Sequence, residues 1–202
     1  MRDILAEIVA KKRGIVAAAK EAVPLDVLKR DLSCGTFRMA EHFRWHGWGL
    51  IAECKLQSPA KGRLTTAYTV TELADIYTAA GAAVLSVHTD PHFLGSNADF
   101  SAVRARVDTP LLRKDFIIDP YQVYEARALG ADAVLLIVRI LTPEQLKELL
   151  YLTWSLGMDA LVEVHDRSDL EIAQGTSAEF IGINNRNLVT FETSVETTLA
   201  LL

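Results

Sequence analysis

The 202-residue chain carries only two cysteines, Cys34 and Cys54. They form no metal-binding or redox spacing, and Cys54 lies inside an apolar run, where a thiol is usually buried and inert. A reduced, cytoplasmic setting is therefore expected. No apolar run is followed by a glycine-rich phosphate loop of the Rossmann or Walker kind, which counts against the doubly wound nucleotide binders. An excess of basic charge is missing too. Twenty-one Lys and Arg stand against 26 Asp and Glu, a net charge of -5, so no general nucleic-acid binding is expected, although a local basic pocket for a small molecule is compatible with that balance. The N-terminus alternates charges with aliphatics and has no uninterrupted apolar stretch, which supports neither a signal peptide nor a membrane span. Metal ligation is also poorly supported: His42 and His46 stand at i and i+4, but no third ligand is evident and zinc sites need three or four.

What is present is an α/β pattern. Half the residues are hydrophobic, enough for one core in a chain of this length. Thr109 to Ile137 holds an apolar strand, the charged triplet Arg113-Lys114-Asp115, a helix opened by Asp119-Pro120, a stop at Gly130 and a second apolar strand. Upstream, Ile4 to Val23 has helical periodicity and ends at Pro24, Leu25 to Leu32 reads as a short helix, and Ser33 to Gly49 is mixed and aromatic. From Gly49 onward, apolar runs at Leu50–Cys54, Ala83–Val87, Pro110–Leu112, Ala133–Val138, Ala160–Val164 and Phe180–Ile183 alternate with helices. Start signals include Thr69 with Glu72 and Thr142-Pro143 with Gln145. The joints Ala79–Val87, Ala128–Ile137 and Ser155–Val164 share a helix end, a glycine and a strand, an internal βα repeat.

Six such runs predict a parallel sheet buried on both faces, either a barrel or an open sheet. Polar residues at several strand ends favour the barrel. At about 26 residues per unit, a closed eight-unit barrel of about 250 residues would need roughly two more units. The expected organisation is an N-terminal helical extension over residues 1–47 and an incomplete TIM (β/α)8-type barrel over residues 48–202.

Chemistry in parallel α/β folds collects at the carboxyl ends of strands. Glu53 and Lys55, His88-Thr89-Asp90, Lys114, Glu163 and His165, and Asn184 and Arg186 all fall there. Strand periodicity puts Glu53 and Lys55 on one face, and Asn184 with Arg186 likewise. Glu163 is flanked by valines, and a charge so placed costs several kcal/mol unless paired or functional. Structural ion pairs between strand ends are the plainer reading of any one of these residues. The loop from Gln57 to Gly62 offers Ser58 and Lys61 to an anion, or is simply a turn. Phe93 and Phe116 could stack on an aromatic ring or pack, and Arg139 is expected to be solvated.

The segments IAECKLQSPAKG, LSVHTDPHFLGS, PLLRKDFIIDPYQVYEARALGADAVLLI, ALVEVHDRSDL and IGINNRNLVTFE resemble, in order, the strand motifs of indole-3-glycerol-phosphate synthase, a (β/α)8 barrel of tryptophan biosynthesis. The resemblance runs from about Ile4 to the last residue and includes the extra helical segment that covers the barrel's bottom. It implies closure of a small, anionic, phosphorylated carboxyphenylaminodeoxyribulose to indole-3-glycerol phosphate, with loss of carbon dioxide and water and no cofactor or metal. Carried over, Lys114 is the general acid, Glu163 handles protons in dehydration, and Glu53 assists. Lys55 grips the substrate carboxylate or acts as a second acid, and Asn184 orients hydroxyls. Ser58 and Arg186 bind polar or anionic groups, while Phe93, Phe116 and Leu135 form the apolar wall.

Two departures stand out. His88 occupies a position usually aliphatic in that family. The chain also ends in the helix after the sixth strand, so the seventh and eighth strands, with a Glu-Ser-Gly turn and a phosphate cradle, are expected to be absent. The corresponding expectations are little activity for these 202 residues alone and self-association through open sheet edges. A non-catalytic barrel fragment or assembly module is the competing class. Another is phosphoribosylanthranilate isomerase, whose cysteine and aspartate pair Cys54 does not supply, because it points away from Glu53 and Lys55.

Overall fold

The computed structural model describes residues 4–58, 62–186 and 192–202. Six strands form one parallel sheet in chain order: β1 (Ile51–Cys54), β2 (Val84–His88), β3 (Leu111–Lys114), β4 (Ala133–Ile137), β5 (Asp159–Val164) and β6 (Phe180–Ile183). A two-stranded hairpin pairs Gln57–Ser58 with Gly62–Arg63 just beyond β1. Three helices precede the sheet: α1 (Ile4–Ala22), α2 (Leu25–Arg30) and α3 (Arg38–His46). The crossovers are α4 (Val70–Ala79), α5 (Asn97–Arg104), α6 (Pro120–Ala128), α7 (Pro143–Ser155) and α8 (Arg167–Gln174), with α9 (Glu196–Leu201) after β6. This is a TIM-type α/β sheet, incomplete as a barrel. Among the described residues, β1 and β6 each pair on one side only.

Local chemistry sets the joints. Thr69 and Thr142 close capping boxes with Glu72 and Gln145, and the Asp119 side chain accepts from the Tyr121 N–H ahead of Pro120. Gly81, Gly130 and Gly157 end α4, α6 and α7 with φ of +84°, +85° and +70°, a left-handed turn that a side chain opposes. Strand β3 runs on to Lys114 instead of ending at Leu112, because His88 and Lys114 remain in register.

Alternation along each strand divides the core in two. Leu85, Val87, Leu111, Val134, Leu136, Val162 and Val164 face the helices and pack with Phe100, Leu146 and Leu149. The opposite face begins with an apolar layer of Val84, Leu112 and Ala133 at the amino ends of the strands, closed by Met39 and Phe43 of α3. The expectation that the N-terminal segment covers the bottom therefore holds for α3, which forms within the mixed aromatic stretch. It fails for α1, whose Ile4, Leu5 and Ile8 lie over the opposite, carboxyl end.

Candidate active site

Above that apolar layer, the same alternating positions turn polar. Glu53 from β1 with Lys55 just after it, His88 from β2, Lys114 from β3, Glu163 from β5 and Asn184 and Arg186 after β6 line one cavity of about 460 Å³. Leu135, Phe93 and Phe116 give it an apolar wall, and α1 roofs it with Ile4, Leu5 and Ile8. Parity explains the convergence, since residues two apart on a strand share a face. Cys54, one residue out of phase, is buried in the helix-side core.

The charges are paired, one pair across strands and one at the end of β1. Lys114 Nζ donates to Glu163 Oε2 at 3.0 Å, and Lys55 Nζ donates to Glu53 Oε1 at 2.7 Å. Asn184 Nδ2 donates to Glu163 Oε1 at 3.1 Å, and its own Oδ1 accepts from the Arg186 N–H at 3.0 Å. Each carboxylate also meets a histidine: His88 Nε2 lies 3.4 Å from Glu53 Oε2, and His165 Nε2 lies 3.3 Å from Glu163 Oε1. Burial alone would raise both glutamates. For Glu53, the contact with His88, the charge of Lys114 and the Lys55 hydrogen bond outweigh it, and for Glu163 the charge and hydrogen bond of Lys114 do, with a further hydrogen bond from Asn184. Both are held below the usual carboxylate range. Burial pushes His88 and His165 the other way, below the ordinary histidine value, so both rings favour neutrality at pH 7. His88 stacks on Phe93 with ring centres 4.5 Å apart, and Lys55 Nζ stands 5.2 Å from the centre of the same Phe93 ring. An ammonium and a carboxylate in contact inside an apolar-walled cavity can give and regain a proton.

The roof is anchored by a group that composition and periodicity did not single out. Lys12 of α1 is buried and forms ion pairs with Asp90 beyond β2 and Asp115 beyond β3. Asp115 also pairs with Arg113 and accepts from the Thr89 hydroxyl, and Arg113 reaches Glu125 of α6. The available signal was spacing: Ile8, Lys12 and Val16 lie four apart on one stripe of α1, and all three are buried.

Other expectations fare differently. Ser58 is buried in the hairpin and is not part of the cavity lining, and Lys61 lies outside the described residues. Arg139 is not simply solvated: it pairs with Asp166 and lies 3.3 Å from Asp169. His42 and His46 stack on one another at 4.3 Å on α3, at the end of the sheet away from the cavity.

Comparison with known proteins places this geometry. The family description indole-3-glycerol phosphate synthase matches residues 5–202. The indole-3-glycerol phosphate synthase of Bordetella pertussis is 48% identical over 209 aligned positions, covering 100% of this chain and 80% of that protein. Its counterpart from Burkholderia lata is 46% identical with the same coverage. Among solved structures, a monomeric form of phosphoribosylanthranilate isomerase from Thermotoga maritima is 14% identical with a TM-score of 0.48, over 67% of this chain and 63% of that one. The fold assignment rests instead on the parallel strand order and the lumen-facing alternation described above. Full-length matching at this level of identity makes the chain a member of the indole-3-glycerol phosphate synthase family.

Proposed function

We propose that the cavity above β1 to β6 carries out the family's ring closure, with Lys114 and Glu163 as its acid–base pair. The substrate on this reading is 1-(2-carboxyphenylamino)-1-deoxyribulose 5-phosphate, an anionic small molecule, handled in the cytoplasm without a cofactor. The observation that carries it is the 3.0 Å contact between Lys114 Nζ and Glu163 Oε2 inside an apolar-walled cavity.

The roles are those that the family resemblance implies, and the positions of the residues in the cavity support them. The Lys114 ammonium protonates the ketone oxygen as the ring carbon attacks the ketone carbon, so a carbon–carbon bond forms and the oxygen becomes a hydroxyl. The substrate carboxylate then leaves as carbon dioxide, and its bonding electrons restore the aromatic ring. In the dehydration the hydroxyl departs as water with a proton from a lysine ammonium, while Glu163 takes the proton lost from the carbon that completes the pyrrole. Glu53 fixes Lys55 for the substrate carboxylate, Asn184 and Arg186 meet hydroxyl and anionic groups, and Phe93, Phe116 and Leu135 hold the aromatic ring away from water. The single-sided edges of β1 and β6 are, on the same reading, where another strand or a second copy pairs.

A steady-state assay following indole-3-glycerol phosphate, run on the purified chain beside K114M and E163Q, tests the assignment. Loss, in both variants, of the turnover that the unsubstituted chain shows, however low, is the expected result. Turnover that K114M or E163Q leaves unchanged overturns it.

A further inference from the structure

His165 touches Glu163 from behind the cavity and has no part in the roles above. Its side chain is 3% exposed. Nε2 lies 3.3 Å from Glu163 Oε1 and 3.3 Å from Asn184 Nδ2, and Nδ1 lies 3.5 Å from Asp169 Oδ2. Asp169 is itself held in place, because its Oδ2 accepts from the His165 N–H at 3.0 Å and faces Arg139 Nη2 at 3.3 Å. Arg139 is tied down in turn by Asp166 at the start of α8. A chain of contacts thus runs from the β4 loop through α8 and the end of β5 to the carboxylate of Glu163.

The hydrogens in this chain can be assigned from the partners. Asn184 Nδ2 carries two, one donated to Glu163 Oε1 at 3.1 Å and the other directed at His165 Nε2. Nε2 is then an acceptor, and the ring proton sits on Nδ1, facing the Asp169 carboxylate. Two acceptors, Nε2 and Glu163 Oε1, therefore stand 3.3 Å apart in a buried place, bridged only by the Asn184 amide. While Glu163 is ionised they repel. Once Glu163 carries a proton on Oε1, that O–H can take the place of the Asn184 hydrogen at the single Nε2 lone pair, while Oε2 still accepts from Lys114 at 3.0 Å. Both oxygens are then satisfied in the acid form as well as in the carboxylate form.

We infer that His165 is a positioning residue for dehydration: it supplies the acceptor that stabilises Glu163 after Glu163 has taken the substrate's proton. The inference rests on the acid–base role proposed for Glu163. No bond to His165 forms. The proton moves from the substrate carbon to Glu163 and afterwards to the amine of Lys114; the second proton that lysine has given up, which matches the carboxylate lost as carbon dioxide, is replaced from solvent. The groups facing the ring are Glu163 on β5, Asn184 after β6, Asp169 on α8 and Arg139 after β4, with Lys114 across Glu163.

Nitrogen-15 spectra of histidine-labelled protein read the tautomer without turnover. The expected result at neutral pH is a protonated Nδ1 and an unprotonated Nε2 for His165; the opposite tautomer overturns the inference. Kinetics supply the second readout. H165L is expected to lower kcat by about 10- to 100-fold with KM within about twofold, the size of one acid–base contribution. H165Q, which keeps an acceptor and folds without an apolar side chain in a polar site, is expected to recover most of the rate. If H165L matches the wild type while E163Q is inactive, the role of His165 falls and that of Glu163 stands. If E163Q turns over like the wild type, the acid–base reading itself falls.

Discussion

Lys12 Nζ lies 2.6 Å from Asp115 Oδ1 and 2.7 Å from Asp90 Oδ2, with all three side chains buried. The pairing joins α1 to the loops after β2 and β3, one residue from Lys114, and so sets where Ile4, Leu5 and Ile8 cover the cavity. Removing one member of a buried ion pair leaves the others uncompensated, which costs about 3–5 kcal/mol. K12M is expected to lose stability of that order in urea unfolding and to raise KM more than it lowers kcat, because the roof loosens while Lys114 and Glu163 stay in place. A variant as stable as the wild type would show that α1 is held by its apolar stripe alone.

Acid should act through the same carboxylates. Burial would raise Asp115, but the charges of Arg113 and Lys12 and the hydrogen bonds from Lys12 and Thr89 outweigh it, as Lys114 does at Glu163 and as the contact with His88 and the two lysines do at Glu53. A carboxyl depressed on folding adds stability that is present above its unfolded value of about 4 and is lost as pH falls through the folded value. Stability measured from pH 7 downward is expected to be flat with respect to these groups until about pH 4 and to fall below it. In K12M, Asp115 keeps Arg113 but loses a partner, so its folded value lies closer to the unfolded one and the fall, still beginning near pH 4, should be smaller. Identical acid limbs in the two proteins would deny Lys12 this role.

Gly157 and Gly35 cross at the foot of the sheet. A Cβ on Gly157 would lie 2.2 Å from the Gly35 carbonyl oxygen, and φ at Gly157 is +70°. The crossing is fastened by the Gly35 N–H donating to the Leu156 carbonyl at 2.8 Å and the Phe37 N–H donating to the Gly157 carbonyl at 3.0 Å. G157A should therefore exceed the roughly 1 kcal/mol strain of a left-handed alanine, reaching about 2–4 kcal/mol as the α3 segment is pushed away. G81A is the control, since its φ is +84° but nothing lies within 4 Å of a Cβ there. Equal losses in thermal or urea unfolding would show that backbone conformation alone matters at both sites.

Much of the fold was legible because its signals are local. Capping residues at Thr69, Asp119 and Thr142 and stops at Gly81, Gly130 and Gly157 are chosen by the turn they make, and strand parity alone sends Glu53, Lys55, Lys114, Glu163 and Asn184 to one side. Partners distant in the chain were not legible. Arg139 meets Asp166 and Asp169 only because α8 returns over the β4 loop. Helical periodicity shows that α1 has a buried stripe but not which end of the sheet receives it, so both Lys12 and the roof over the cavity went unread. His165 was visible as a strand-end residue, yet its link to Asp169 and Asn184 depends on the packing of α8 and β6.

At the opposite end of the sheet Asp159 behaves in the reverse sense. It begins β5, and its carboxylate accepts the Ala40 N–H at 3.0 Å, capping α3, whose own N-cap residue Phe37 offers no side-chain oxygen. Burial pushes it up to about 6, against the opposing pull of the Ala40 and Met39 amides. An acid raised on folding binds its proton more tightly in the native state, so its contribution is greatest below about pH 4 and is lost as pH rises through about 6. D159N keeps an oxygen for the helix amide and removes the titration. It is expected to match the wild type near pH 4 and to be more stable by about 1–2 kcal/mol at pH 8, the order of a buried charge removed with its hydrogen bond kept. Urea unfolding of both proteins at the two pH values decides it, and a D159N protein that is less stable at pH 8 would mean that the charge at the α3 N-terminus outweighs its burial.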